Sequence, residues 1–289
     1  MTPHDYQFLC KFLKERSGLA LAPEKEYLVD NRLMPVARRN GCKSVPELIQ
    51  RLMVPATDAL KIEVTEAMMN NESFFFRDRI PFDRLRDTVL PDLLARRAHR
   101  KQLRIWCAAA STGQEPYSIA MLLAERGDLS DWRVEILATD ISNDALDRGK
   151  VGLYSQFEVQ RGLPIQSLMQ HFEQEGEQWR ISKKLRERVQ FRQVNLLSDF
   201  SRLGSFDVVF CRNVLIYFDR ETKLDVLGRI VRVMAGDGYL VLGAAETMVG
   251  LGNLFVPVPE KRALYQPQPR PAPVRLRAVE PISGGAGVA

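Results

Sequence analysis

Apolar residues recur at helical spacing through the first quarter of the chain. Tyr6, Phe8, Leu9, Phe12 and Leu13 form one stripe, Leu28, Leu33 and Met34 a second, and Val45, Leu48, Ile49 and Leu52 a third, with Gly18, Pro23 and Gly41 as punctuation. This period predicts helices and no strand from residue 1 to about 65. A further stripe, Leu85, Val89, Leu90, Leu93 and Leu94, predicts a helix over 80–97. From Leu103 the pattern changes. Short apolar runs at 103–107, 134–139, 189–194, 206–211 and 238–243 read as buried strands, with helical stripes at 115–126, 142–150 and 220–235. Such alternation predicts an α/β domain with a parallel sheet covered on both faces. Residues 151–188 interrupt it; they are polar, with Trp179 and Ile181 in a strand-like run, and read as a small insertion rather than core. The Pro- and then Gly-rich end, 266–289, is expected to be disordered.

Composition narrows the function classes. A hydrophobic content of 45% supports a sizeable core, and the net charge of +5 suits an acidic partner without demanding nucleic acid. No apolar run reaches the ~18–20 residues of a membrane span, and the N-terminus lacks a signal-peptide core. Cys10, Cys42, Cys107 and Cys211 are scattered, as free thiols of a reducing cytoplasm would be. His4, His99 and His171 have no metal-ligand spacing, so no metal site is expected.

The candidate chemistry lies at strand ends. After the first strand comes a turn of small residues, Ala108–Gly113, and then Glu115 at a helix start. The second strand ends in Asp140. A turn without bulky side chains lets backbone approach a ligand, and an acid ending the next strand can take two ribose hydroxyls. Each feature has a plainer use, Glu115 as a first-turn acid and Asp140 as a helix cap; the three in strand order favour a nucleoside. Ligands of open α/β sheets sit beyond the carboxyl ends of the strands. Asn195 and Leu196, and Arg212, Asn213 and Tyr217, stand at such ends. The run Phe74-Phe75-Phe76 between polar residues reads as a segment lying across a ligand, or as a core-packing linker. Between Arg77 and Arg104 nine Lys/Arg face four Asp, an excess of five. Most of these are expected on a solvated face, with one or two turned to an acidic substrate.

Five blocks then resemble one family in order: Asn-Glu-Ser-Phe-Phe-Phe-Arg (71–77), Ala-Ala-Ala-Ser-Thr-Gly-Gln-Glu-Pro-Tyr-Ser (108–118), Ala-Thr-Asp-Ile-Ser (138–142), Val-Asn-Leu-Leu (194–197) and Phe-Cys-Arg-Asn-Val-Leu-Ile-Tyr-Phe (210–218). They are similar to the CheR-type chemotaxis receptor methyltransferases, which use S-adenosylmethionine to methylate receptor glutamates. The resemblance implies an N-terminal helical domain (1–70), a linker and helix contributing to the cofactor site (71–100), a Rossmann-like methyltransferase domain (101–265) with 151–188 as an inserted antiparallel β-subdomain, and a tail (266–289). It places cofactor contacts on Asn71, Ser73, Arg77, Glu115, Asp140, Asn195, Leu196, Arg212 and Asn213. Ser73 stands for a threonine common in the family, and Gln114 stands where an acid is often found.

The implied reaction is methyl transfer to a γ-carboxylate. A glutamate with a pKa near ~4.3 is already an anion at neutral pH, so no general base is required. Tyr217 is the expected orienting donor. Arg77 and Arg96 are expected to recruit the acid, with Arg97 equivalent to Arg96 by spacing. The implied partner is the cytoplasmic helical domain of chemoreceptors, engaged by a cytoplasmic monomer recruited to receptor clusters, without nucleic acid or membrane insertion. The turn after the strand region of Trp179 is short where peptide-docking relatives carry a longer, glycine-rich loop, so independence from a receptor C-terminal tether is expected. A methyltransferase of another signalling protein and a catalytically idle cofactor-binding module are the alternatives.

Overall fold

The computed structural model describes residues 1–22, 25–54 and 56–269. The expected helices open the chain: α1 (Pro3–Ser17), α2 (Glu26–Arg39), α3 (Val45–Met53) and α4 (Asp58–Met68). Their stripes close on one core of Leu9, Leu13, Leu33, Val36, Leu48, Ile49 and Val64. Helix α1 stops at Gly18, whose φ is 79°. A Cβ there would come within 2.8 Å of the Phe218 ring, so this junction with the second domain requires a glycine.

Residues 70–79 then cross to the second domain. Helix α5 (Ile80–Arg84) runs through a π-type turn at Leu85–Val89 into α6 (Leu90–Arg97). Pro91 has no N–H to continue the ordinary ladder, and Leu90 N–H reaches back to Leu85 O instead.

The alternating pattern forms a seven-stranded sheet. Its strands in chain order are β1 (Gln102–Ala108), β2 (Arg133–Asp140), β6 (Val189–Gln193), β7 (Phe206–Cys211) and β8 (Met234–Leu242), with α7 (Gln114–Ala124), α8 (Asn143–Val151) and α12 (Arg220–Arg232) among the connections. Spatially they lie β6-β2-β1-β7-β8, all parallel, followed by antiparallel β10 (Leu264–Pro267) and β9 (Phe255–Pro257). The chain builds outward from β1 to β6 and then returns to β7 beside β1, so a crevice opens at their carboxyl ends. Strand β10 extends two residues into the segment assigned to the tail, because Tyr265 and its neighbours pair with both β8 and β9. Gln268 and Pro269 complete the described part of that tail, and residues 270–289 lie outside the described residues. Among the described residues, no helix is long and apolar enough to cross a membrane.

The insertion is core, contrary to its polar appearance. Its strands β3 (Leu153–Ser155), β4 (Phe172–Glu175) and β5 (Gln178–Ile181) form an antiparallel sheet ordered β3-β5-β4, flanked by α9 (Gln156–Gln160), α10 (Ile165–His171) and α11 (Lys183–Arg186). Tyr154, Phe172, Ile181 and Leu185 bury into the same cluster as β1 and α7. Tyr154 donates its hydroxyl to Thr112 O at 2.8 Å, tying the insertion to the turn after β1. Its polar residues face water while widely spaced apolar ones cover α7, a pattern too sparse to show as periodicity.

Most of the basic stretch is exposed, as expected, but most of its cations are paired within the fold. Arg97 and Arg100 converge on Asp207, at 3.0 and 2.7 Å, and the Arg104 N–H donates to the same carboxylate at 2.9 Å. Arg97 also pairs with Asp237, Arg104 with Glu135, Lys101 with Asp131 and Arg86 with Asp83 and Asp87. These cations are neutralised by the fold, and Asp207 and Asp237 lie toward the amino ends of β7 and β8. Removing one partner of a buried charge cluster typically costs about 3–5 kcal/mol. Asp207→Ala is expected to lower the unfolding free energy by about that much in urea titrations. A loss no larger than the ~1 kcal/mol of a surface pair would contradict this.

Candidate active site

A cavity of about 280 Å³ lies where the helical domain covers the carboxyl edge of the sheet. Its sheet side carries Asp140 from β2, Asn195 and Leu196 beyond β6, and Asn213 and Tyr217 beyond β7. Its other walls include Asn71, Arg32 and Lys25. Six of the expected site residues, Asn71, Asp140, Asn195, Leu196, Asn213 and Tyr217, therefore meet around one space.

The turn after β1 is shaped by backbone. Ala109 and Ser111 adopt φ of 64° and 50°, and Gly113 of 95°. The Ser111 N–H donates to Asp140 Oδ2 at 2.8 Å, while the Ser142 N–H donates to Oδ1 at 3.0 Å. Burial pushes the Asp140 carboxyl above its ordinary value, and these N–H donors oppose that shift. The carboxylate is thus fixed in orientation with lone pairs left for a ligand in the cavity.

Around Arg212 the site is ionic. The guanidinium is 2% exposed; it donates to Glu115 at 2.8 Å, Asp78 at 2.9 Å and Arg77 O at 2.7 Å. Its Nε is buried without a partner. Desolvation raises the Glu115 pKa, and the adjacent Arg212 charge opposes the rise. Glu115 and Arg212 stand behind the turn and not among the residues walling the cavity.

The segment 70–79 is tied to every side. Asn71 O accepts from Ser111 Oγ at 2.7 Å, Phe76 N–H donates to Ser118 Oγ at 2.9 Å, and a Cβ on Gly162 would sit 2.1 Å from Phe75 O. Phe75 is wholly buried against Tyr154 and Phe172, and Phe76 packs on Phe82, so these two act as a packed linker. Phe74 instead lies under Arg77 and Arg161. Ser73 is half-buried on this segment without walling the cavity, and Arg77 donates to Glu72 O at 2.9 Å. Phe76, Asp78, Arg79, Ala109, Ser111 and Asn213 all hold left-handed φ, a concentration of strain at one place.

Arg96 is not at the site. It pairs with Asp92 at 2.9 Å and lies 3.7 Å from Asp237. That is the amino edge of the sheet, about 17–20 Å away along strands of five or six residues. Arg97 is buried at the same edge. Arg96 and Arg97, which spacing could not tell apart as partners of the acid, both lie at this opposite edge.

Three residues escaped the sequence reading. Glu246, 8% exposed, accepts from four backbone N–H groups: Asn213 at 2.9 Å, Val214 at 3.1 Å, Ile216 at 3.3 Å and Gly243 at 2.7 Å. It holds the loop that presents Asn213 and Tyr217. Asn70 donates to the Tyr217 hydroxyl at 2.8 Å, leaving that hydroxyl its own proton to donate. Arg32 donates to Met68 O at 2.6 Å and is an arginine in the cavity wall. An acid close behind the last parallel strand was a weak signal for Glu246, and a polar pair before Glu72 one for Asn70.

The fold and crevice define a nucleoside-binding α/β domain of the doubly wound type with a helical cover. Residues 4–68 match the family described as CheR methyltransferase, all-alpha domain, and residues 71–264 match CheR methyltransferase, SAM binding domain. Chemotaxis protein methyltransferase Cher2 of Pseudomonas putida is 40% identical over 256 residues, covering 87% of this chain and 93% of its own. Chemotaxis protein methyltransferase 1 of Pseudomonas aeruginosa is 41% identical over the same shares, and that of Vibrio cholerae 36% identical over 88% and 93%. The chain belongs to the CheR methyltransferase family, and its cofactor is S-adenosylmethionine.

The residues present fit that cofactor: an acid in the cavity wall whose two oxygens are oriented by backbone N–H groups, a turn of small residues beside it and an orphaned buried guanidinium N–H behind it. We propose Asp140 for the ribose hydroxyls, Asn195 and Leu196 for the base, and Asn71 and Asn213 for the amino-acid end, with Ser73, Arg77, Glu115 and Arg212 holding the turn and the crossing segment behind them; Asn195 is already tied to Arg16 O at 2.6 Å. Charge-assisted hydrogen bonds are worth roughly 1.5–3 kcal/mol. Asp140→Ala is therefore expected to weaken cofactor binding about ten- to a hundredfold by calorimetry. An ionised Asp140 is the acceptor, so affinity holds above its pKa and falls as pH drops through it; burial moves that loss to higher pH than for an exposed aspartate. Unchanged affinity in folded protein would remove Asp140 from the site. Glu246→Gln presents an amide N–H to two of the four donors and shifts the loop. Its turnover is expected to fall about a hundredfold, as a ~1 Å misplacement can produce, while cofactor affinity changes much less. Equal losses would show that the loop serves the cofactor alone.

Proposed function

We propose that this methyltransferase acts on glutamate side-chain carboxylates in the cytoplasmic helical domain of chemoreceptors, giving methyl esters for sensory adaptation. The observation that carries the reading is the Tyr217 hydroxyl, fixed by Asn70 on a cavity wall shared with Asp140; among the described residues, no histidine or cysteine lines the same space. An acceptor that is already an anion at neutral pH needs orientation rather than a general base.

S-adenosylmethionine supplies an electrophilic methyl group, and its transfer to a carboxylate oxygen leaves a neutral ester and a thioether. The chain's own residues align the acceptor. Tyr217 donates to one carboxylate oxygen and orients the other, a neutral contact that withdraws little charge from the nucleophile. Arg32 and Lys25, on the helical domain's side of the cavity, attract the acid; Arg77 guards the segment behind it. The helical cover excludes water, which strengthens these contacts and removes part of the carboxylate's hydration. Positioning of this kind can supply on the order of 7–11 kcal/mol of the barrier. The compact hairpin between β4 and β5, turned by Gly176 and Glu177, supports a reading in which the acceptor is engaged without a C-terminal peptide tether.

The test is incubation with methyl-labelled S-adenosylmethionine and receptor-rich membranes. Label that appears on receptors and is released by mild base is expected, and Tyr217→Phe should lower its rate while leaving cofactor affinity close to wild type. Base-stable label would place the methyl on nitrogen or another atom and refute the glutamate assignment. Loss of cofactor affinity in Tyr217→Phe would move Tyr217 into the cofactor pocket.

A further inference from the structure

Beside the cofactor cavity lies a second depression of about 390 Å³, formed by the start of α12 and the segment after β8. Ile216 walls both spaces. Val249, on the far side of the groove, is 85% exposed, and Ile216 is 44% exposed. Ile216 and Val249 together leave exposed apolar surface in one concavity next to the cofactor cavity.

Charge around this groove has one sign. Arg220 donates to Gly250 O from Nε and Nη2, at 3.2 and 3.0 Å, and is thereby held along the rim. Lys223 stands one turn further along α12 in the same wall. The acids of that helix end face elsewhere. Asp219 pairs with Lys14 at 2.6 Å, while Glu221 and Asp225 line a separate groove against α1. Glu246, the carboxylate within the groove wall, is buried beneath four backbone N–H groups.

We propose that this groove docks the acceptor itself: the amphipathic, acidic helix carrying the methylated glutamate lays apolar residues over Ile216 and Val249 while its neighbouring acids pair with Arg220 and Lys223. The inference rests on the receptor-helix reading given above. Helix geometry makes the two contacts compatible. Residues three or four apart on one face lie about 5–6 Å from each other, and seven apart about 10 Å. A glutamate delivered to Tyr217 therefore carries the next residues of its own face onto the adjoining wall. The groove reads the sequence around the target glutamate, whereas the cavity reads only the carboxylate.

Lys223→Glu, Val249→Glu and the double variant test this with a receptor cytoplasmic fragment as acceptor, since both side chains lie outside the cofactor cavity. Apparent KM for the fragment is expected to rise about five- to tenfold in each single variant and further in the double. Cofactor affinity, thermal stability and kcat at saturating acceptor should stay at wild-type values. Replacing acids three or four residues from the target glutamate by lysine should restore part of the loss in Lys223→Glu. An unchanged KM in the double variant, with the wild type active on the same fragment, would overturn the docking surface and leave the glutamate reading standing. A wild-type enzyme inactive on the fragment would overturn both.

Discussion

The Arg212 guanidinium is the constraint around which the site is arranged. A cation 2% exposed cannot remain without anions, and its three partners come from different parts of the chain: Glu115 on α7, Asp78 and Arg77 O on the segment from the helical domain. Leaving one buried ion unpaired costs several kcal/mol, so these pieces are held in one arrangement. The segment that crosses between the domains is thereby fixed against the sheet edge, and with it Asn70 and Asn71 at the cavity wall.

The rest of the site is preorganised by the same logic of buried polar groups demanding partners. Two N–H donors fix Asp140, four fix Glu246, and the insertion fixes the turn after β1 through Tyr154. Left-handed φ at six non-glycine residues persists because these ties over-determine the backbone. The result is a pocket whose walls come from both domains. Ala20 N–H donates to Tyr217 O at 2.9 Å and Asn143 N–H to Glu66 at 2.8 Å, so the helical domain is part of the site.

How much was legible follows from the range of each interaction. The parallel strands announced themselves because both faces are buried and their residues form unbroken apolar runs, as at Phe206–Cys211. Strand ends then located Asp140, Asn195, Asn213 and Tyr217 by the geometry of open sheets. Strands β9 and β10 escaped notice because each is short and bounded by proline or turns. Arg96 and Arg97 were misplaced because only the folded sheet shows that Asp207 and Asp237 are their partners. Glu246 left only the weak signal of an acid close behind the last parallel strand, because the backbone N–H groups it accepts from carry no sequence signature. The insertion looked peripheral because a few buried aromatics among many polar residues leave no period to read.

The central claim is that one space between the helical domain and the sheet edge holds the cofactor and receives the acceptor. A crystal structure with bound S-adenosylhomocysteine tests it most directly. Ribose hydroxyls are expected on the Asp140 carboxylate, the base beside Asn195 and Leu196, and the sulfur directed toward the Tyr217 hydroxyl. A cofactor seated in another groove, or one whose sulfur points away from Tyr217, would contradict it.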